Sequence, residues 1–182
     1  ELLKKKLKSA AGFGNLKFAI SGAAPINSKI LSLFQTLEIP LFEGYGMTEN
    51  TAGATLNFID NNKIGTVGKA LPNTQIKIAK DGEVLIKGDH VMKGYYRNEK
   101  ATSETIIDEW LYTGDVGKID SEGYLEITDR SKDLIKSGGE WISSLELEEI
   151  VRNHEKIHDA AVIGVDHKKW NERPLVIAEA VK

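Results

Sequence analysis

The chain has 182 residues, 41% of them hydrophobic and 28% charged, a balance that suits a folded core and excludes a disordered or fibrous polypeptide. Its 24 basic and 27 acidic side chains give a net charge of −3, without the basic excess of a nucleic-acid binder. No cysteine is present, which excludes a disulfide scaffold, a thiolate nucleophile and a Cys-ligated zinc site. A cytoplasmic location is expected on the same ground. No apolar run is long enough to span a membrane. The start on Glu1 rather than Met suggests a piece of a longer polypeptide.

Residues 2–8 carry four lysines among leucines, which reads as the solvated end of a helix, with peripheral contact to an anionic membrane as the alternative. Residues 16–20 read as a short buried strand that ends at Ser21-Gly22. Residues 28–37 read as a helix, with Ile30, Leu31, Phe34 and Leu37 on its buried face and Asn27 as N-cap. Pro40 stops it. Leu41-Phe42 is a further short strand that runs into a glycine-rich loop over residues 44–49.

From Gly65 the period changes. Residues 74–79 and 83–87 flank Lys80-Asp81-Gly82 as a hairpin, and residues 99–107 form a short helix. A second hairpin joins residues 116–120 to 124–128 through Ser121-Glu122-Gly123. After Arg130 a strand is expected over residues 133–136 and a flexible loop at Ser137-Gly138-Gly139. Ser143 and Glu146 fit a capping box, with Leu147, Ile150 and Val151 on the buried face of the helix that follows. Residues 160–165 and 175–181 read as strands joined by a polar turn. A domain boundary is expected near residues 130–132.

Three segments carry chemistry. In the first, Gly44 and Gly46 let the backbone approach a flat ligand, Tyr45 offers an aromatic face, Thr48 a hydroxyl for phosphate and Glu49 a hard carboxylate for Mg2+. The plainer reading is a turn with a packed tyrosine and a solvated glutamate. In the second, Asp115 follows Tyr112-Thr113-Gly114, where a carboxylate accepts ribose hydroxyls or merely closes a turn. The third, residues 129–140, puts Arg130, Lys132 and Lys136 beside Gly138-Gly139. It suits phosphate binding and hinge motion, or a solvated strand and loop.

Ser21-Gly22-Ala23-Ala24-Pro25, then GYGMTE at 44–49, YTGD at 112–115 and DRSKDLIKSGGE at 129–140 follow one another along nearly the whole chain. In that order they resemble the acyl-adenylate-forming superfamily of acyl-CoA synthetases, luciferases and peptide-synthetase adenylation domains. LEIPLFEGYGMTENT at 37–51 and IKSGGEWISS at 135–144 look most like long-chain fatty acyl-CoA ligases. The resemblance implies an α/β (α+β) fold. Residues 1–130 would be the C-terminal part of a large AMP-binding domain with a β-rich subdomain. Residues 131–182 would begin a small α+β domain.

It also implies roles. Gly22, Ala23 and Ala24 wall an adenine pocket, Glu43 and Gly44 meet its edge and Tyr45 stacks on the purine. Thr48 holds the α-phosphate and Glu49 the Mg2+. Asp115 and Arg130 bind ribose, and Lys132 is the hinge. Lys136, Gly138 and Gly139 enter the site for thioester formation and line the path of coenzyme A, with Trp141 beside them. The implied substrates are a fatty acid, ATP and CoA. The phosphate loop and the C-terminal catalytic lysine of the superfamily are not found here. The chain is therefore expected to be an internal fragment that is inactive as a ligase by itself.

Three competitors stand beside this reading. An adenylation enzyme would transfer the acyl group to a carrier protein instead of CoA. A non-enzymatic nucleotide-binding module would share the adenine site and release no pyrophosphate. His154-Glu155-Lys156-Ile157-His158 matches the H-E-x-x-H pattern of zinc proteases, which needs both histidines on one face of an unbroken helix. The β-branched run at 162–165 speaks for a strand soon after His158.

Overall fold

The computed structural model of the protein describes residues 2–181. The chain forms two compact units that alternate along the sequence: Glu1–Lys77 with Leu85–Tyr112 and Ile119–Glu126, and Ile78–Val84 with Thr113–Lys118 and Ile127–Lys182.

The first unit opens with α1 (Leu2–Ala10), β1 (Ala19–Ser21), α2 (Ser28–Thr36) and β2 (Leu41–Tyr45). Two short strands follow, β3 (Thr55–Leu56) and β4 (Lys69–Ala70), and the four strands form one sheet in the order β1-β2-β3-β4. β1 and β2 are parallel, so the chain must cross over between them, and α2 is that crossover. Asn27 caps α2, its side-chain oxygen accepting the Lys29 N–H at 2.8 Å. Leu31 is buried and Phe34 and Leu37 are half-buried, as the spacing predicts, but Ile30 is 44% exposed. The strand expected at 16–20 begins only at Ala19, because the Leu16 N–H closes a turn on the Phe13 carbonyl. The lysine-rich α1 leaves Leu2 and Leu3 exposed, while Lys4 pairs with the Glu38 carboxylate at 2.7 Å and Lys8 donates to the Glu38 carbonyl.

A second sheet has the order β5-β6-β8-β7 with β9 on β8; its strands are β5 (Gln75–Ile78), β6 (Glu83–Lys87), β7 (Ile106–Ile107), β8 (Trp110–Ile119) and β9 (Leu125–Arg130). β6 buries Val84, Leu85 and Ile86 in succession, so both of its faces are covered. The helix expected over 99–107 ends sooner, as α3 (Glu99–Thr105). Asp108 and Glu109 both have positive φ (51° and 66°), which makes a primed two-residue turn and pairs Ile106 with Leu111. Without a glycine there, the sequence gives no sign of it.

The third sheet lies in the second unit, in the order β11-β10-β13-β12: β10 (Ile135–Ser137), β11 (Glu140–Ile142), β12 (Ile157–His167) and β13 (Asn171–Ala180). Residues 131–133 form a turn rather than the start of a strand. Ser137-Gly138-Gly139 is a tight hairpin rather than a flexible loop. Gly138 and Gly139 hold φ of 63° and 93°, and Ser137 faces Glu140 across them.

Between β11 and β12 stands α4 (Ser144–Arg152), capped by Ser143 Oγ, which accepts the Glu146 N–H at 3.1 Å. Leu147 and Val151 are half-buried, but Ile150 is 62% exposed. The Glu148 carboxylate accepts the Val162 N–H of β12 at 2.9 Å, so residue 148 faces the sheet and residue 150, about 200° further round, faces away. The H-E-x-x-H reading fails on the same geometry. α4 ends at Arg152 with Asn153 as its C-cap, and His158 is already in β12.

Candidate active site

Parallel pairing sets the carboxyl ends of β1 and β2 side by side, with Ser21 opposite Glu43. Ligands of open α/β sheets bind at such ends. Gly22-Ala23-Ala24 leave the end of β1, with Ala23 in the left-handed region at φ 69°, and Glu43-Gly44-Tyr45 form the end of β2. Gly44 and Tyr45 thus lie in a strand, not in the expected loop, because β3 pairs with both. A Cβ on Gly22 would stand 3.1 Å from the Gly44 carbonyl oxygen, and one on Gly44 would stand 2.9 Å from Leu56 Cδ1. The Gly44 Cβ would also stand 3.1 Å from the Thr55 carbonyl oxygen, so three backbone segments approach closely here and a side chain at either glycine would press on its neighbours. Tyr45 is half-buried. Burial pushes the Glu43 carboxyl above its usual value, opposed by a long hydrogen bond of 3.5 Å from the Ile26 N–H.

The chain then folds back sharply. A Cβ on Gly46 would lie 2.4 Å from the Ala52 carbonyl carbon, so no side chain fits there. Asn50 is fully buried and its side-chain oxygen accepts the Met47 N–H at 2.9 Å. Thr51 and Ala52 both adopt left-handed φ (59° and 63°), a strained pair of the kind that collects at functional sites. This turn presents Thr48, which is exposed, and Glu49, which is half-buried, as the first residues of a 3-10 turn (Thr48–Asn50). Glu49 is doubly held: its carbonyl accepts the Met92 N–H and its Oε1 accepts the Tyr95 O–H, both at 2.7 Å. The carboxylate in turn raises the Tyr95 pKa, first through that hydrogen bond and then with burial. Neither Asn50 nor Tyr95 stands out in the sequence. Tyr95 acts on a residue 46 positions away, and only the pairing of Gly94-Tyr95-Tyr96 with the Gly44–Glu49 segment could have marked it.

The structure also brings together Asp115 and Arg130, with Arg130 Nε 3.4 Å from Asp115 Oδ1. Asp115 lies inside β8 rather than after a turn. Gly114 takes φ 72° within the strand, its N–H donating to the Glu83 carboxylate at 2.7 Å and its carbonyl accepting the Ser131 N–H. Asp115 is nearly buried, while the Arg130 side chain is 60% exposed. Lys132 sits in the turn that Asp133 and Leu134 close by donating their N–H groups to the Arg130 carbonyl. Next to it is a residue the sequence did not single out. Asp129 is 1% exposed, and its carboxylate accepts the Arg130 and Ser144 N–H groups, both at 2.7 Å. It ties the end of β9 to the start of α4.

Lys136, Gly138, Gly139 and Trp141 share the β10–β11 hairpin. Lys136 faces Trp141 across the strands, its ammonium 5.3 Å from the ring centroid. Trp141 is 61% exposed. A Cβ on Gly138 would meet Trp170 Cε3 at 2.8 Å, whereas one on Gly139 would meet nothing.

The donor set fits a phosphate and a hard cation: one hydroxyl, one carboxylate with Oε1 hydrogen-bonded, and glycine backbone with no room for side chains. Among the described residues no group of three or more His, Asp or Glu is placed to hold a metal by itself. A cation at Glu49 would share substrate phosphates as ligands, the usual arrangement for Mg2+.

The family described as "AMP-binding enzyme" matches residues 1–96. Long-chain-fatty-acid--CoA ligase FadD15 of Mycobacterium bovis (strain ATCC BAA-935 / AF2122/97) is 40% identical over 164 residues, which are 90% of this chain and 27% of that protein. The o-succinylbenzoate CoA synthetase (MenE) of Bacillus subtilis, solved with the acyl-adenylate OSB-AMP, superposes with a TM-score of 0.87 at 32% identity, over 98% of this chain and 40% of that one. The same enzyme with ATP and magnesium ion gives 0.81 at 34% identity, over 87% and 35%. The chain thus spans between about a quarter and two fifths of the length of these proteins. Motif order, strand ends and sequence identity agree: the chain belongs to the AMP-binding enzyme family, whose relatives here are adenylate-forming acyl-CoA ligases.

Proposed function

We propose that the full-length protein carrying this chain is an ATP-dependent acyl-CoA ligase whose acid substrate is a long-chain fatty acid. The observation that carries the reading is the convergence of Gly22–Ala24 and Glu43–Glu49 at the carboxyl ends of two parallel strands. The fatty-acid assignment is supported by the 40% identity to FadD15. A second reading, with 2-succinylbenzoate as the acid, is supported by the likeness to MenE.

A carboxylate is a poor electrophile and must be activated. Its oxygen bonds to the α-phosphorus of ATP and pyrophosphate leaves with the electron pair of the broken P–O bond. The thiol of CoA then bonds to the acyl carbon, loses its proton, and AMP departs. Tyr45 and the Gly22–Ala24 segment would hold the base. Thr48 would orient the α-phosphate through its hydroxyl. The Asp115–Arg130 pair would hold the ribose, the carboxylate accepting from its hydroxyls. Glu49 would hold Mg2+, which when bound supplies Lewis-acid stabilisation of phosphate charge. Lys136 and the Gly138-Gly139 turn would serve the thioester step. The protein would work in the cytoplasm, and the exposed leucines of α1 would give it peripheral contact with the bilayers into which long acids partition.

The test is acid-dependent pyrophosphate release and CoA thioester formation by the full-length protein. A long-chain acid, a short-chain acid and 2-succinylbenzoate are compared. The long-chain acid is expected to lead in kcat/KM by about tenfold or more, the scale on which apolar pockets discriminate. A lead by 2-succinylbenzoate overturns the fatty-acid assignment, and absence of pyrophosphate release with every acid overturns the ligase reading.

Lys132→Pro probes the hinge. Proline fixes φ at about −65° and removes the N–H at position 132, so it restricts rotation in the turn that the Asp133 N–H closes on the Arg130 carbonyl. We expect adenylate formation within a few-fold of wild type. Thioester formation from isolated acyl-adenylate should slow about tenfold, or ~1.4 kcal/mol of barrier. Equal loss of both steps in a variant with an unchanged melt would remove Lys132 from the hinge role.

A further inference from the structure

We infer that Tyr95 is a positioning residue for the Glu49 carboxylate, fixing one of its oxygens so that the other faces the cation of the metal–nucleotide substrate. The inference rests on the reading of Glu49 as the Mg2+ ligand and adds to it a residue outside the glycine-rich segment.

The geometry is built from the far side. Asn98 caps α3 by accepting the Ala101 N–H at 3.1 Å, and Thr102 Oγ1 donates to the Asn98 carbonyl at 2.9 Å. The same Thr102 oxygen accepts the Tyr95 N–H at 2.9 Å. Gly94, at φ 150°, makes this possible, since a Cβ there would stand 2.6 Å from Thr102 Cγ2. The backbone of Tyr95 is thereby anchored to the first turn of a helix. From this anchor the phenol reaches Glu49 Oε1 at 2.7 Å, while the Met92 N–H holds the Glu49 carbonyl at the same distance. The segment from Met92 to Tyr95 thus grips Glu49 at backbone and side chain together.

A free glutamate side chain samples several rotamers and loses that freedom on metal binding. A phenol donating to one oxygen removes part of that cost in advance and leaves the second oxygen's lone pairs for the cation. A neutral donor suits the task. A lysine or arginine at position 95 would compete electrostatically with Mg2+ for the same carboxylate.

The experiment uses the full-length protein and titration calorimetry with the unreactive α,β-methylene analogue of ATP, with saturating Mg2+ and separately in EDTA. The ratio of the two affinities isolates the metal-dependent part of binding, free of turnover. Tyr95→Phe keeps the ring and the Thr102 bond and deletes only the hydroxyl. It is expected to reduce the metal-dependent ratio ~3- to 10-fold, the scale of the net contribution of a typical intramolecular hydrogen bond. Affinity in EDTA should stay unchanged. Glu49→Gln should reduce the ratio at least as much, and the double variant should fall no further than Glu49→Gln alone. A normal ratio for Tyr95→Phe beside a reduced one for Glu49→Gln overturns the positioning role and leaves Glu49 as ligand. A normal ratio for Glu49→Gln overturns the metal reading, and the positioning role with it. Equal losses with and without Mg2+ would show Tyr95 to be structural, and a thermal melt on each variant identifies that case.

Discussion

Glu49→Gln in the full-length protein is expected to lower the single-turnover rate of pyrophosphate release about 10²- to 10³-fold, the scale seen when one preorganised electrostatic contact to a transition state is lost. The substitution keeps the shape of the side chain and an oxygen able to accept the Tyr95 O–H. The turn built on Gly46, Asn50 and the left-handed Thr51-Ala52 pair should therefore stay intact. What disappears is the negative charge proposed to hold Mg2+ against the substrate phosphates. Tyr45 and the Gly22–Ala24 segment remain, so nucleotide affinity in EDTA should change little. Rapid-quench measurement at saturating Mg2+ checks the rate, and a rate equal to wild type would remove Glu49 from the adenylation step.

Gly138→Leu is expected to destabilise the second unit by about 2–3 kcal/mol. A left-handed conformation costs a non-glycine residue ~1–2 kcal/mol, and bulk pressed on the Trp170 ring costs a further ~1, the low end of the range for packed cores because both residues are exposed. Both terms apply, because Gly138 holds φ 63° and its Cβ would press on the Trp170 ring at 2.8 Å. The backbone is held there as well, the Gly138 N–H donating to the Trp170 carbonyl at 2.9 Å. Gly139→Ala shares only the conformational term, since nothing lies near its Cβ, and should cost ~1–2 kcal/mol. Denaturant melts of the two variants check this, and equal losses would mean that Trp170 does not pack against the turn. Gly139 is accordingly the position at which added bulk disturbs the hairpin less, and the better one at which to obstruct the proposed path for CoA.

What the sequence by itself determined is local. Asn27 and Ser143 start their helices because a short polar side chain satisfies N–H groups two or three residues on. The Asp81-Gly82 and Glu122-Gly123 turns lie within hairpins because glycine accepts positive φ, here 90° and 87°. The order of the four motifs was equally legible, and with it the family and the α/β class. The H-E-x-x-H match was readable as a false lead from the β-branched run beyond it.

The tertiary structure decided what depends on partners far away in the chain. Gly44 and Tyr45 are strand residues only because β3 pairs with them, and periodicity cannot register a two-residue partner. Asp108-Glu109 turns the chain through positive φ without glycine, a strain that the pairing of β7 with β8 holds in place. Ile150 faces solvent while Leu147 and Val151 stay half-buried and Glu148, about 200° from Ile150, accepts the Val162 N–H of β12, so helical spacing alone drew the buried face one residue too wide. Asp115 meets Arg130, Asp129 meets Ser144 and Tyr95 meets Glu49 across separations of 15 to 46 residues. Hydropathy and turn chemistry act over a few residues, whereas a carboxylate's partner is chosen by whichever donor the fold delivers to it.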